Sequence, residues 1–289
     1  MNIFSLLKND FCLADEKELK EIKSLAIGCF DALHLAHFEL INKLCSKGAL
    51  LIIYKDNIKQ LVPNFMKEKI AKKKVFFIKL NEVCNLDGKD FVQKLLASFS
   101  NLEYFVAGYD FCFGINASSN VYKLEEYSKL KCHIVNEFKI DNLSVHTTLI
   151  KELLQKAQLN LSKKLLGRNY TLYALKQIKG QGLGSKFLLA TINFDYDEYF
   201  LPKDGVYLAN LYITNTVYKS AVFLGKRSTD LKSALECHIL DEIKTNDFSN
   251  CNIEFLYYLR ENKSFNQLEK LKEQILLDVK TLNEIKEKF

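Results

Sequence analysis

The pattern of apolar segments changes near residue 160, and this change constrains the fold more than any other feature of the chain. Before it, short and almost continuously apolar runs alternate with segments of helical periodicity. Such runs are typical of strands that are buried on both faces of a parallel sheet. The predicted strands lie at 24–30, 49–54, 74–80 and 102–111, and the predicted helices at 34–44, 64–74 and 88–100. The alternation predicts a Rossmann-like, doubly wound α/β domain.

After the change, the chain reads as a series of strands rich in Tyr, Phe, Val and Thr, with few helices between them. These strands lie at 169–178, 186–194, 205–213, 217–225, 235–240 and 252–259. Their spacing and the glycine-containing turns between them predict an antiparallel β-barrel or sandwich. One long C-terminal helix follows and should cover the barrel, with Ser264 and Gln267 as its capping box. We place the first domain at residues 1–162 and the second at 163–289.

Composition limits the kinds of partner. The net charge of +6 is mild for 289 residues, and we interpret the one dense basic run, 67–74, as a solvated helix face and not a nucleic-acid contact. The eight cysteines form no CxxC pair, which favours reduced and mostly buried thiols. No apolar run approaches the roughly 20 residues of a membrane span, and the N-terminus is unlike a signal peptide. We expect a cytoplasmic monomer or weak homo-oligomer with no nucleic-acid or membrane partner.

Two of the five histidines, His34 and His37, follow the first predicted strand at the start of the next helix. Ligands of open α/β sheets bind at the carboxyl ends of strands. A helix start offers unpaired N–H groups and partial positive charge, which suit phosphate, and residues three apart share one face. The pattern favours a phosphate site, while a packing role for the two histidines stays open.

The residues around these histidines resemble the G-x-F-D-G-x-H-x-G-H signature of bacterial bifunctional riboflavin kinase/FAD synthetases. Alanines at 32 and 36 replace two glycines of that signature. By this resemblance the segment binds ATP phosphates, and the two histidines are catalytic for adenylyl transfer. The matching residues are Gly28, Phe30, Asp31, His34 and His37.

Two further segments of the first half are similar to the same family. "AGYDFCFG" (107–114) resembles its G-E-D-F-R-F-G and contributes Asp110 as a nucleotide-binding candidate. "VHTTLIK" (145–151) resembles its I-S-S-T-x-I-R, which implies phosphate contacts from Thr148 and Lys151. A lysine keeps the charge but loses the bidentate geometry of the family's arginine. The family's P-H-P is missing after the second strand.

The second half resembles the riboflavin kinase module. "GLGSKFLLATIN" (182–193) is similar to G-x-x-L-G-F-P-T-A-N, which implies that Thr191 and Asn193 organise ATP phosphates and Mg²⁺, with Thr191 as a metal ligand. Oxygen ligands of this kind suit a hard cation. "LPKDGVY" and "LECHILD" match two more motifs, and the second implies that Glu236 is the catalytic carboxylate. "YYLRENKSF" implies a flavin contact from Arg260.

The resemblance spans both halves and implies two linked reactions. Riboflavin would be phosphorylated by ATP to FMN, and FMN would be adenylylated to FAD with release of pyrophosphate. The implied small molecules are Mg²⁺, ATP as co-substrate, riboflavin and FMN as substrates, and FMN and FAD as products. Three alternatives stay open because several motifs are altered: retention of one activity only, a non-catalytic flavin- or nucleotide-binding relative, and a related transferase with another substrate.

Overall fold

The computed structural model describes residues 2–3, 15–178, 190–227, 231–243 and 247–289. They belong to two compact units, Met1–Thr147 and Thr148–Phe289. The division reflects compactness alone, and the functional boundary between 162 and 163 stays a prediction. Among the described helices, none has the length and apolar character needed to cross a membrane.

The first unit is built around a parallel sheet with the strand order β1-β4-β3-β2-β5-β8. Its strands are β1 (Asn2–Ile3), β2 (Ser24–Gly28), β3 (Gly48–Tyr54), β4 (Lys74–Lys79), β5 (Tyr104–Gly108), β6 (Cys112–Phe113), β7 (Ser119–Asn120), β8 (Lys131–Val135), β9 (Lys139–Ile140) and β10 (Leu143–Ser144). Its helices are α1 (Glu16–Glu21), α2 (Leu35–Ile41), α3 (Asn64–Ala71), α4 (Leu80–Val83), α5 (Gly88–Ser98) and α6 (Tyr122–Ser128). The short pairs β6–β7 and β9–β10 are antiparallel.

Both faces of this sheet are buried, as the continuous apolar runs predict. In β2, Leu25 and Ile27 pack into one hydrophobic cluster, while Ala26 between them packs into another. Neighbouring strands alternate in the same way, because successive side chains of a strand point to opposite faces. The prediction of a doubly wound α/β unit is confirmed.

The chain reverses its direction of progress across the sheet at β2. Strands β3 and β4 follow on one side of β2, and β5 and β8 lie on the other. A reversal of this kind leaves a crevice at the carboxyl ends of the two central strands, where ligands of open α/β sheets bind. The residues just after β2 and β5 therefore line the expected binding crevice.

The second unit contains one curled antiparallel sheet with the order β11-β17-β14-β15-β16-β13-β12. The strands are β11 (Thr171–Leu175), β12 (Gln177–Ile178), β13 (Ile192–Phe194), β14 (Gly205–Ile213), β15 (Thr216–Lys226), β16 (Ser233–Ile239) and β17 (Cys251–Arg260). The helices are α7 (Thr147–Gln155), which begins at the unit boundary, α8 (Leu159–Leu166) and α9 (Leu268–Ile285). Strands β11 and β12 are separated by one residue yet lie at opposite ends of the strand order, so the sheet curls back towards itself. The predicted barrel architecture is confirmed in this partly closed form.

Helix α9 packs on the barrel, as its periodicity predicts. Leu282 is fully buried in a cluster with Val206, Leu208 and Leu256. The predicted capping box is wrong, because the helix begins at Leu268 and its N-cap Gln267 makes no capping side-chain hydrogen bond. Ser264 therefore lies too far before the first turn to accept from its N–H groups.

Cysteine burial is mixed, so the expectation of mostly buried thiols is wrong for the described cysteines. Cys132, Cys237 and Cys251 are buried, whereas those at 29, 84 and 112 are exposed. All of the described cysteines are free thiols. Burial raises the pKa of the Cys237 thiol to about 12, which keeps it protonated at neutral pH.

Candidate active sites

The corner between β2 and α2 (residues 28–37, the β2–α2 corner) brings the two predicted histidines into direct contact. Their rings stack with centroids 3.6 Å apart and planes inclined by 14°. His34 is the N-cap of α2, and its Nδ1 accepts from the backbone N–H of His37 at 3.3 Å. An Nδ1 that accepts leaves the proton of a neutral imidazole on Nε2. His34 is therefore oriented by the helix start, with its Nε2–H as the remaining donor.

Tight backbone turns form this corner. Phe30 and Leu33 adopt left-handed φ values of 45° and 46°, which cost free energy in residues with a side chain. The Phe30 ring is buried and lies 4.9 Å from the His37 ring. A Cβ added to Gly28 would lie 3.2 Å from the same ring. The glycine thus leaves room for Phe30, which in turn supports His37.

Asp31 joins the corner to the segment that precedes α3. Its Oδ1 accepts from the backbone N–H of Leu61 at 2.9 Å. A carboxylate in this position fixes the loop through a backbone hydrogen bond. The structure therefore gives Asp31 a structural contact, and its predicted role in nucleotide binding stays a prediction.

Lys67 is an exception to the interpretation of the basic run as a solvated face. Its side chain is buried, with 2% of the residue exposed, although Lys69 and Lys72 on the same run are exposed. Desolvation raises the pKa of the Cys29 thiol, and the positive charge of Lys67 opposes that rise. The Lys67 side chain thus interacts electrostatically with Cys29, a residue of the β2–α2 corner. Sequence reasoning missed it because nothing distinguishes it from its lysine neighbours.

Asp110 follows β5, the strand beside β2. The turn is closed by a hydrogen bond from the Phe111 N–H to the Gly108 carbonyl at 3.0 Å. Asp110 is exposed, and a Cβ at Gly108 would lie 2.9 Å from its Oδ1. The carboxylate and the two histidines therefore follow the carboxyl ends of adjacent parallel strands.

Thr148 and Lys151 lie in the first turns of α7, within the second unit. Thr148 is exposed. The Lys151 Nζ lies 5.3 Å from the centroid of the Phe200 ring, a cation–π distance. Both residues thus lie at a helix start, and their phosphate contacts stay predictions.

In the second unit, Asn193 and Glu236 are register partners on the adjacent strands β13 and β16. Asn193 is buried and Thr191, just before β13, is exposed. Directly paired residues of an antiparallel sheet hold their Cβ atoms about 4.5–5.5 Å apart. The structure therefore brings together the predicted phosphate-binding amide and the predicted catalytic carboxylate. The segment 182–189 of the same motif lies outside the described residues.

Arg227 is a further member of this second site. Its Nη1 lies 3.3 Å from Oε1 of Glu236, and the two side chains are 18% and 21% exposed. The His238 ring, two residues along β16, uses Nδ1 to contact the carbonyl oxygen of Ala190 at 2.8 Å. Sequence reasoning missed Arg227 because only strand pairing brings it to Glu236.

The Arg260 guanidinium forms hydrogen bonds with other residues of the protein. Its Nε and Nη2 donate to the buried carboxylate of Asp278 on α9, with Nε–Oδ1 at 2.7 Å. Its Nη1 donates to the carbonyl of Glu261 at 2.7 Å. These bonds fasten α9 to β17, and the predicted flavin contact of Arg260 stays a prediction.

An α/β unit with polar residues at its switch point, followed by a curled barrel with a paired amide and carboxylate, matches the two-module phosphate-transfer protein that the sequence predicts. The riboflavin kinase family model matches residues 166–286. The FAD synthetase family model matches residues 66–149. Together they cover more than half of the chain, although the β2–α2 corner precedes the second match. The chain belongs to the bifunctional riboflavin kinase/FMN adenylyltransferase family.

Several relatives carry that description. The chain is 24% identical over 297 residues to the bifunctional riboflavin kinase/FMN adenylyltransferase of Bacillus subtilis, covering 92% of each chain. It is 28% identical over 197 residues to the protein of the same description from Haemophilus influenzae, covering 66% of this chain and 64% of that one. A crystal structure described as a macrolide-efflux protein from Streptococcus pneumoniae has a TM-score of 0.79 at 18% identity, covering 93% of this chain and 94% of that one. At this identity the likeness establishes the fold alone.

Proposed function

We propose that the protein makes FAD from riboflavin in two steps, with the kinase reaction in the second unit and adenylyl transfer in the first. The observation that carries the proposal is that both family domains occur in one chain. The stacked His34–His37 pair and the Asn193–Glu236 pair supply the side chains that the two reactions need. Riboflavin, FMN and ATP are the proposed substrates.

Adenylyl transfer requires charge stabilisation more than base catalysis. An FMN phosphate oxygen attacks the α-phosphorus of ATP, and pyrophosphate leaves. The nucleophile is already anionic near neutral pH, so the main task is to stabilise charge on the phosphates. The His34 and His37 rings at the start of α2 can donate to phosphate oxygens there. The buried ammonium of Lys67 adds positive potential from α3.

Phosphorylation of riboflavin requires a base and an aligned γ-phosphate. The primary hydroxyl of riboflavin attacks the γ-phosphorus and gives up its proton, which Glu236 accepts in this proposal. Asn193, fixed opposite Glu236 by strand pairing, can hold a phosphate oxygen or its counter-ion close to that base. The pairing thus sets the distance between the phosphate-binding and proton-accepting groups.

The residues of this site fit Mg²⁺. Thr191 and Asn193 offer hydroxyl and amide oxygens, the ligand type that this ion prefers. Among the residues that the structure describes, no cluster of three His, Cys, Asp or Glu side chains competes for a metal. Mg²⁺ bound with ATP would neutralise phosphate charge during transfer. We further propose cytoplasmic action as a monomer or weak homo-oligomer without a nucleic-acid partner.

Product analysis with two different starting substrates tests the proposal. The whole protein with ATP and Mg²⁺ should convert riboflavin to FMN and FAD, and should convert supplied FMN to FAD. We expect His37→Ala to lower FAD formation from FMN by at least about 100-fold and to leave riboflavin phosphorylation intact. Glu236→Gln should do the reverse, by about 100-fold or more.

Matched control substitutions separate these specific losses of activity from non-specific effects of mutation on the protein. His133→Ala removes an imidazole from β8, and Glu242→Gln neutralises an exposed carboxylate beyond β16. Both controls should retain the two activities. The proposal is rejected if neither FMN nor FAD forms from riboflavin across a range of Mg²⁺ concentrations and redox conditions.

A further inference from the structure

The backbone of Arg227 is held in place by hydrogen bonds at both its N–H and its carbonyl group. It follows the last residue of β15, and its N–H donates to the carbonyl of Lys232 at 3.0 Å. Its own carbonyl accepts from the N–H of Leu231 at 3.0 Å. Because both backbone groups are bonded, little freedom remains in the main chain, and the direction of the side chain is set by the end of the sheet.

From this point the side chain reaches back along the sheet to Glu236. The residue opposite Glu236 on β15 is Phe223, four positions before Arg227. The Arg227 Nη1 atom lies 3.3 Å from the Glu236 Oε1 atom, and about four fifths of each side chain is buried. A charge-assisted hydrogen bond is stronger where water is largely excluded. The contact can therefore restrict the rotamers of Glu236.

The residues around the Arg227–Glu236 pair support the view that Arg227 acts on the Glu236 carboxylate. Asn193 lies opposite Glu236 on the other neighbouring strand. Tyr196 interacts electrostatically with Arg227, and His238 is bonded to Ala190. Arg227 thus contacts Glu236 on the side of β15, while Asn193 pairs with it from β13.

We infer that Arg227 is the positioning residue of the kinase site: its guanidinium holds the Glu236 carboxylate in the orientation that accepts the proton of the attacking hydroxyl. The inference rests on the proposed function, in which Glu236 is the base. A glutamate has three side-chain torsions, and a reactive group displaced by about 1 Å can cost a factor of 100 in rate. Arg227 acts through Glu236 and needs no contact with the substrate.

Steady-state kinetics of riboflavin phosphorylation by the whole protein test the inference. Arg227→Met removes the charge and keeps much of the apolar stem. We expect kcat to fall about 10- to 100-fold, with the KM values for ATP and riboflavin within about twofold, because uniform substrate binding is not lost. Arg227→Lys should restore part of kcat. Lys226→Met, at the adjacent exposed position, is the matched control and should behave like the wild type.

A double variant separates positioning from direct substrate contact. With Glu236→Gln already present, Arg227→Met should lower kcat no further, because residues that act as a unit are not additive. A rise in the KM for ATP in both backgrounds would overturn the inference and assign Arg227 to the nucleotide. FAD formation from supplied FMN, the proposed reaction of the first unit, should be unchanged in every variant.

The failure of this inference differs from the failure of the proposed function. An active Glu236→Gln variant would contradict Glu236 as the base and this inference with it. An inactive Glu236→Gln beside a normal kcat in Arg227→Met would overturn this inference alone. If Arg227→Met melts well below the wild type, Arg227→Lys decides the question: a kcat as low as that of Glu236→Gln at a normal melting temperature contradicts positioning, because the charge is kept.

Discussion

At the scale of single residues, His34 has a structural contact and a proposed chemical role, and the two can be separated. Its Nδ1 caps α2 by accepting from the His37 N–H, while its ring stacks on His37. Asparagine is among the best N-cap residues, whereas alanine cannot cap. The cap therefore survives in His34→Asn but not in His34→Ala, and the imidazole is lost in both.

We expect both variants to lose FAD formation from FMN, with His34→Asn more stable than His34→Ala by about 1 kcal/mol. Urea unfolding gives the difference in the free energy of unfolding, and product analysis gives the rates. Normal FAD formation by His34→Asn would mean that the cap, and not the imidazole, is what the reaction needs.

A second residue-scale prediction concerns Gly225 near the end of β15. Its φ of +127° is a backbone conformation that side chains disfavour, and an added Cβ would lie 2.3 Å from Nδ2 of Asn262 and 2.8 Å from the Asp204 carboxyl. We expect Gly225→Ala to lower the free energy of unfolding by about 2 kcal/mol, measured by urea titration. A loss below about 0.5 kcal/mol would show that the strand relaxes easily there.

Individual site residues differ in how far the sequence predicts them. His34 and His37 could be paired from their spacing, because helical geometry places residues three apart on one face. The contacts of Lys67 and Arg227 could not be predicted. Their burial and partners depend on which segments meet in three dimensions, and no local pattern marks a lysine as buried or an arginine as bonded to a distant glutamate.

At the scale of elements, a buried ion pair helps to attach α9 to β17. The Arg260–Asp278 pair is bidentate, and Asp278 is buried. Removing one partner of a buried pair leaves an uncompensated charge, which costs about 3–5 kcal/mol, while replacing both with apolar residues is often neutral. We expect Asp278→Leu alone to be strongly destabilising, and Arg260→Met with Asp278→Leu to recover much of that loss.

The same variants test the predicted flavin contact of Arg260. Thermal unfolding measures stability, and riboflavin titration measures binding. If Arg260 only anchors α9, the stable double variant should bind riboflavin like the wild type. Weak riboflavin binding by a stable double variant would instead support direct contact with the flavin.

A second anchor near the end of the chain should be pH dependent. Asp241 accepts from the Lys286 Nζ at 2.8 Å and from the Lys219 N–H at 2.6 Å. Desolvation alone would raise the pKa of Asp241, but these hydrogen bonds outweigh it and lower the pKa below its usual value. Stability from such a group is present above the unfolded pKa of about 3.9 and is lost as the pH falls through the folded value.

Asp241→Asn should therefore lower the melting temperature at pH 7 and have a diminishing effect as the pH falls below about 4. The loss should stay under about 1 kcal/mol, because Asp241 is partly exposed and solvent screens the pair. Melting curves from pH 3 to pH 7 measure it. A difference between variant and wild type that does not change with pH would contradict the assignment.

Elements were predictable where local pattern and tertiary burial agree. The run at 24–30 gave β2 because both of its faces are apolar, as a central parallel strand requires. The start of α9 was not predictable, since the Ser264–Gln267 pair has the capping spacing but the helix begins later. The break between β11 and β12 was not predicted either. The two strands lie at opposite ends of the sheet, but in the sequence they form one continuous strand-like segment.

At the scale of the whole molecule, the two proposed reactions have separate structural bases. Each unit has its own hydrophobic clusters, and the units divide near residue 147. His37 lies in the first unit and Glu236 in the second. A chain that is defective in one reaction should therefore retain the other, and FMN made by one molecule should be usable by another.

This independence predicts complementation between variants. His37→Ala should convert riboflavin to FMN and stop there, and Glu236→Gln should form FAD only from supplied FMN. A mixture of the two with riboflavin, ATP and Mg²⁺ should form FAD after a lag in which free FMN accumulates, and chromatography of timed samples follows all three flavins. Adding more of the Glu236→Gln chain should shorten the lag, since it consumes the free intermediate. If each variant performs its own reaction yet the mixture forms no FAD, the His37→Ala chain does not release the FMN that it makes, and the predicted exchange between molecules is wrong.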